Sequence, residues 1–201
     1  MLLTNFFSAG QGGYYILVLA FMLLLVGLYL WGSNKKEKDS RAARLELLYS
    51  ELDEEKLAHI PDEELVDAVI ANLNAKQDKR RPDAYHTVPL LSRGRCAVYS
   101  VWLICHELDA GSFEDCFAGP SGVFCELAAD GLELIGAIDC SVAVRKALQA
   151  EEEELAELHA DFLEAAETEQ PLQKCVEYIR NNPTEFVDTP VKEDASCLPE
   201  S

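Results

Sequence analysis

The sequence predicts an all-α protein in which a single N-terminal transmembrane helix is followed by an acidic multi-helix domain. Three observations predict this fold class. Residues 14–31 carry no charge, and apolar residues recur at helical spacing along much of the remaining chain. No segment alternates apolar and polar residues as a half-buried strand does.

The first element is the uncharged segment at residues 14–31, YYILVLAFMLLLVGLYLW. As a helix it would cover about 27 Å, close to the roughly 30 Å hydrocarbon core of a bilayer. No Lys or Arg precedes it, whereas residues 35–44 contain five, so the positive-inside rule places the N-terminus outside and the C-terminal domain in the cytoplasm. The bilayer is thus a predicted partner. A cleaved signal peptide and a buried core helix are the alternatives.

These patterns predict five parts of the chain. Residues 1–13 form an extracytoplasmic lead, residues 14–31 the transmembrane helix, residues 32–60 a charged helical connector, residues 61–188 an acidic helical domain, and residues 189–201 a disordered tail. Leucines at helical spacing support the connector, and two prolines support the tail.

The first half of the domain predicts two helices separated by a loop. Pro61 suits the first position of a helix, and the acidic residues 62–64 suit the positive end of its dipole. Residues 77–89 are polar and contain prolines, which predicts a loop. Cys96–Leu108 is almost wholly apolar but too short to cross a bilayer, so we predict a central buried helix there.

The second half predicts four more helices. Gly119-Pro120 begins one that Gly136 ends, and Pro171 begins the last one, which Asn181-Asn182-Pro183 stops. Apolar residues mark the two helices between them: Ile138, Val142 and Leu148 in one, and Leu155, Leu158 and Phe162 in the other.

The composition favours some ligand classes over others. A net charge of −19 disfavours direct binding of nucleic acid, because such proteins need positive charge to displace counterions. A basic protein partner is more consistent with it. The seven cysteines are odd in number and form no C-x-x-C motif, so they predict no zinc site. Small buried thiols in a reducing cytoplasm are expected instead.

Signatures of catalysis are weak. The four histidines form no H-E-x-x-H motif, residues 119–122 are not a G-x-S-x-G elbow, and no glycine-rich loop could cradle a phosphate. His106 and Glu107 are adjacent, but neighbouring helical side chains point about 100° apart. The sequence therefore predicts a protein that is not an enzyme, with no catalytic residue, metal or cofactor.

One stretch resembles a known family. In CAVYSVWLICHELDAGSFEDCF, Cys96–Phe117, the matching side chains are Tyr99, Trp102 and Glu107. Asp109–Phe113 follows them where the bacterial DNA-mimic protein family typically has Asn-Gly-Gly-Phe, although the second glycine is replaced here. The resemblance covers roughly residues 62–187. It implies an all-helical fold that can form homodimers and, as in its best-known member, occupation of a transcription factor's DNA-binding surface.

An acidic helix face is the first candidate site. Its residues step at nearly 6 Å along the axis of the predicted helix, a phosphate-like spacing: Glu153, Glu157, Asp161 and Glu164. Like charges so placed repel by roughly a few tenths of a kcal/mol per pair, and a partner-binding role would explain why this cost is tolerated. The alternative is a solvated face that serves solubility.

The loop at residues 109–117 is the second candidate. It combines carboxylates and aromatic rings between two apolar helices: Asp109, Gly111, Phe113, Glu114, Asp115 and Phe117. A functional loop would form a pocket or a partner surface, with His106, Asp109 and Asp115 lining the pocket. The alternative is a tight interhelical turn whose phenylalanines pack in the core.

Together these features predict a membrane-anchored acidic module that binds a basic protein surface, such as that of a DNA-binding regulator, by DNA mimicry. A toxin-neutralising protein of the immunity type is an alternative with the same charge requirement. A small-molecule binder or enzyme that uses the 109–117 loop is a second alternative. Binding to a basic partner should weaken steeply with salt.

Overall fold

The structure is a computed structural model of the 201-residue chain, and it describes Phe21, residues 40–76 and residues 91–188. The chain divides into two compact units, Met1–Arg44 and Leu45–Ser201, and the account below concerns the second. Over the described residues the structure contains helices and no strand, which confirms the all-α prediction. The predicted lead, loop and tail lie outside the described residues, and the predicted part boundaries stay predictions.

The helices are labelled in chain order. They are α1 (residues 40–48), α2 (Glu54–His59), α3 (Asp62–Lys76), α4 (Arg93–Ala110), α5 (Phe113–Ala118), α6 (Cys125–Leu134), α7 (Ile138–Ala147), α8 (Leu155–Glu169) and α9 (Pro171–Asn181). Short 3₁₀ helices cover Pro120–Phe124, Glu152–Glu154 and Pro183–Glu185.

The single-pass membrane localisation that the sequence predicts is wrong on this structure. None of the described helices combines the length and the apolar character that crossing a bilayer requires. The longest of them, α4, carries charged side chains near both ends. Residues 14–31, the predicted span, lie outside the described residues except for Phe21. The lipid contact, the outside N-terminus and the cytoplasmic domain are therefore withdrawn.

Helix α4 is the central helix of the second unit. It packs against α3, α5, α6, α8 and α9, and its side chains Val98, Val101 and Leu108 are fully buried. This packing confirms the central buried helix predicted from Cys96–Leu108. A helix that is apolar on most sides must pack against other helices on most sides.

Two caps satisfy the N-terminus of α4. The Ser92 hydroxyl accepts a hydrogen bond from the backbone N–H of Arg95 at 3.3 Å. The Glu185 carboxylate accepts one from the backbone N–H of Gly94 at 2.6 Å, and the Tyr178 hydroxyl donates to the same carboxylate at 3.1 Å. The 3₁₀ helix that contains Glu185 is thereby fixed to the central helix.

Helices α4 and α6 approach each other closely at Gly131. A Cβ atom at this position would lie 3.0 Å from the carbonyl oxygen of Ala97 and 3.1 Å from its Cα. The contact is thus formed by backbone atoms, which cannot move aside as a flexible side chain does.

Helix α7 is packed through small residues. Ala143 and Ala147 are buried with Cys140 and Val144, whereas Ile138 and Val142 are exposed. The larger apolar residues that mark this helix in the sequence therefore lie on its outer side. Small residues on the inner side allow α6 and α8 to pack directly against α7.

The Asp188 carboxylate joins four parts of the unit. It accepts hydrogen bonds from the backbone N–H of Leu52 at 2.9 Å, from Asn72 Nδ2 at 3.1 Å and from Arg95 Nη2 at 2.9 Å, and it also pairs with Lys76. Burial raises the pKa of Asp188, but the hydrogen bonds from these groups outweigh burial and hold the pKa well below its ordinary range.

Replacing Asp188 by Asn should lower the free energy of unfolding by about 2 kcal/mol at pH 7, because charged hydrogen bonds are lost. Since the folded pKa is lowered, the contribution of the carboxylate is complete above the unfolded pKa of about 3.9 and is lost as the pH falls below it. The difference in the free energy of unfolding between the wild type and Asp188→Asn, measured in urea, should therefore become smaller below about pH 4.

The control for this prediction is Asp130→Asn. Asp130 pairs with Arg145 at 2.7 Å on the surface, so its removal should change the free energy of unfolding by less than about 1 kcal/mol. An equal loss in the two variants would contradict the role given to Asp188.

Replacing Gly131 by Ala should lower the free energy of unfolding by about 1–3 kcal/mol, because α4 and α6 must separate to admit the methyl group. This loss would occur although alanine favours a helix over glycine by about 1 kcal/mol. Thermal or urea unfolding measures it. Glu126→Ala, at an exposed position of the same helix, is the control and should have little effect. A stabilised Gly131→Ala variant would refute the close contact.

Candidate protein-interaction surface

The acidic run before α8 has a structural role at its start. Glu151 and Glu154 form a capping box around the 3₁₀ turn Glu152–Glu154, in which the backbone N–H of Glu151 donates to Glu154 Oε2 at 3.4 Å. Carboxylates here also interact favourably with the positive end of the α8 dipole. Local helix chemistry therefore accounts for this part of the run. Glu153, a member of the predicted face, lies in this turn and is exposed.

The other three predicted residues lie along α8 and share one side of it. Glu157, Asp161 and Glu164 are all exposed, and at about 100° per residue they fall within an arc of about 60°. We call these three residues the acidic face. Helix α8 can carry it because only Phe162 among its residues is fully buried.

A groove borders the acidic face on its α7 side. It has a volume of about 410 Å³, and it contains three carboxylates and one ammonium group. The lining residues are Lys146, Gln149, Ala150, Glu154, Glu157, Leu158 and Asp161. The wall from α7 was not predicted, because no spacing within the sequence shows which helix lies beside α8. The groove could accept a cationic side chain.

At the C-terminal end of α8, the charge is unfavourable for the helix dipole. Its last turn contains no basic residue, although cations stabilise that end and anions destabilise it. Glu169 has a structural role at this end, because its carboxylate accepts a hydrogen bond from the backbone N–H of Cys140 in α7 at 3.0 Å. Burial raises the pKa of Glu169, but this bond and one from Asp139 hold the pKa below its ordinary value. No comparable bond is seen for the side chains of the acidic face within the described residues.

The second candidate, residues 109–117, forms a tight turn and a short helix. The backbone N–H of Gly111 closes α4 by donating to the Glu107 carbonyl at 2.9 Å. The Ser112 hydroxyl then caps α5 by accepting from the backbone N–H of Asp115 at 3.1 Å, and it donates to the Asp115 carboxylate at 2.8 Å. Glu114 and Asp115 are exposed on the outer side of this helix.

Phe113 anchors this turn in the core. It is fully buried, with its ring centroid 5.5 Å from that of Phe117, 6.0 Å from that of Phe162 and 6.1 Å from that of His159. His159 Nε2 in turn donates to the Leu108 carbonyl at 2.9 Å. The aromatic residues of the turn therefore hold α8 against the end of α4.

The pocket that the sequence predicts beside this turn is only partly assembled. A cavity of about 390 Å³ is lined by His106 and Asp109, but Asp115 is not among its lining residues, because its carboxylate bonds with Ser112. The lining also includes Cys105, whose pKa burial raises to about 12. Such a thiol is a poor nucleophile near neutral pH.

The described cysteines are all free thiols, and four of them are buried. Cys116 and Cys125 are in contact, with their Sγ atoms 3.7 Å apart. The hydrogen bond with Cys116 and burial both raise the pKa of Cys125. Over residues 40–76 and 91–188, no three His, Cys, Asp or Glu side chains are grouped as a metal site requires.

Comparison with known proteins finds a family model that matches most of this unit. Residues 90–188, from the approach to α4 to the Asp188 carboxylate, match the family model described as DMP19-like protein. This segment, just under half of the chain, is thus similar to DMP19-like proteins. The match confirms the resemblance to DNA-mimic proteins noted from Cys96–Phe117, although it begins later than residue 62. No curated protein and no solved structure matches the chain.

In this segment, Phe113→Ala should lower the free energy of unfolding by about 3–5 kcal/mol, because a fully buried ring is removed. Urea unfolding followed by circular dichroism measures the change. Glu114→Ala, one position along in the same turn, should change it by less than about 0.5 kcal/mol. A small effect of Phe113→Ala would show that the turn is not part of the core.

Proposed function

We propose that this chain is a binding protein whose acidic face on α8 occupies the DNA-binding surface of a basic protein. The observation that carries the proposal is the exposed charge of Glu157, Asp161 and Glu164, whose side chains form no ion pair in the described part of the chain, although Lys146 lines the same groove. The similarity of residues 90–188 to DMP19-like proteins supports an acidic protein-interaction role of this kind. The role proposed involves no catalysis.

The spacing of the acidic face suits a surface that normally binds DNA. Successive carboxylates lie about 6 Å and about 4.5 Å apart along the helix axis. The phosphates of one DNA strand are spaced about 3.4 Å along its axis, so the row of carboxylates is sparser and would occupy only some of the phosphate contacts of a basic groove. The helix itself, roughly 10 Å across, could enter such a groove.

The energetics favour function over stability as the reason for this charge. Glu157 and Asp161 are four residues apart, and Asp161 and Glu164 are three apart, so both pairs repel. This repulsion destabilises the isolated protein. A basic partner would remove the repulsion, which would add to its affinity and speed its association.

The acidic face can be tested by displacement of DNA. A fluorescent duplex bound to basic helix-turn-helix domains should be displaced by the wild-type protein at low salt. The triple variant Glu157→Gln, Asp161→Asn and Glu164→Gln should require at least about tenfold more protein, and its displacement should depend less steeply on salt.

The matched control separates position from net charge. Glu55→Gln, Glu126→Gln and Glu177→Gln remove three exposed carboxylates from other helices and change the net charge equally. Displacement by this control should stay close to wild type. If both triple variants lose activity equally, only net charge matters and the proposed surface is refuted. Homodimerisation and toxin neutralisation stay predictions from the sequence.

A further inference from the structure

An apolar cleft lies between the C-terminal end of α4, the middle of α8 and the start of α9. Phe162 is part of its buried wall, and Leu163 and Leu172 stand at its edge with 42% and 36% of their surface exposed. The cleft has a volume of about 390 Å³, within the range of sites that hold ligand groups. The other lining residues are Cys105, His106, Asp109, Ala166, Gln170, Pro171 and Gln173.

The sharp junction of α8 and α9 shapes this cleft. Gln170 alone separates the two helices, and its φ of 49° lies in the left-handed region that favours glycine. Its backbone N–H donates to the Ala166 carbonyl at 3.0 Å, and Pro171 begins α9 at the next position. The wall formed by α9 is thereby held at a fixed angle to α8.

The charge of the cleft is negative. Asp109 is exposed at its edge and has no cationic partner in the described part of the chain, and no Lys or Arg belongs to the lining. The His106 ring is held in place, since Nδ1 donates to the Trp102 carbonyl at 3.0 Å and the ring lies against that of Trp102, with centroids 4.6 Å apart and a tilt of 40°. An apolar group with a neighbouring cation would complement this combination.

The cleft and the acidic face lie on opposite flanks of one exposed helix. Leu163 directly precedes Glu164 and follows Asp161 by two residues, which places it about 100° from the first and about 160° from the second round α8. A partner groove that takes α8 as a ridge would therefore contact the acidic face with one wall and the cleft with the other. The two flanks offer the partner different chemistry.

We propose that the cleft receives an apolar side chain of the same basic partner, next to a Lys or Arg that meets Asp109. This proposal rests on the proposed function and adds a second contact to it. Burial of a leucine in the cleft supplies affinity that salt does not screen, whereas the acidic face supplies affinity that it does. The cleft would also select among basic partners, since most lack an apolar residue at the required place.

Two cationic peptides serve as probes. Both are fluorescent twelve-residue peptides of Lys and Arg, one with a central Leu and the other with Ser at that position. Binding to the full chain is followed by fluorescence anisotropy at several salt concentrations. The Leu peptide should bind about tenfold more tightly, and this ratio should persist as salt weakens both complexes.

Variants show which residues cause the difference in affinity between the Leu and the Ser peptide. In Leu163→Ser with Leu172→Ser, the two peptides should bind equally, and the salt dependence should stay unchanged. Val123→Ser, which removes another exposed apolar side chain, should keep the ratio. Both substituted leucines lie partly in solvent, so circular dichroism should show folded proteins. In Glu157→Gln, Asp161→Asn and Glu164→Gln, both peptides should weaken together and the ratio should survive.

The outcomes separate this proposal from the one on which it rests. Both peptides could bind the wild type equally and bind the acidic-face variant less tightly. This result would overturn the proposal for the cleft alone, whose occupant would then be another group, such as a second copy of the chain. A ratio that survives Leu163→Ser with Leu172→Ser would also overturn it. Binding of neither peptide at low salt would overturn the acidic face and the cleft together.

Discussion

Close packing through small residues is the constraint on which the rest of this structure depends. Gly131 brings the α6 backbone against α4, and the buried alanines of α7 bring it against α6 and α8. Helix α8 is held on its inner side by α7, α4 and α5, and Phe162 is its fully buried side chain. The opposite surface of α8 is exposed to solvent, so it can carry charges that a buried helix could not.

Much of the fold could be predicted from the sequence, because burial leaves a clear trace where side chains are large. The apolar run of α4 and the boundaries set by Gly136 and Pro171 are examples. Helix α7 shows where this approach weakens. Its most apolar residues, Ile138 and Val142, are exposed. Helices that pack closely need small side chains at the contact, whether or not larger apolar residues are present. Hydropathy alone also led to a membrane localisation that no described helix supports.

The candidate site was predictable only where it depends on a single helix. The spacing of Glu157, Asp161 and Glu164 follows from helix geometry, and the structure places them on one side of α8. The α7 wall of the acidic groove and the cleft across α8 depend on which helices are neighbours, and sequence spacing does not contain that information. Asp115 illustrates the same limit, because a carboxylate that suggests a pocket in sequence serves as part of a helix cap in the fold.

The single residue between α8 and α9 has an evolutionary consequence. Side chains around the cleft can change one at a time, because each substitution alters only how well the cleft binds a partner side chain. A length change at Gln170 would instead swing α9 away from α8 and dismantle the wall that Pro171 and Leu172 provide. Lineages that diversify their partners would therefore vary residue identity around this junction while keeping its length fixed.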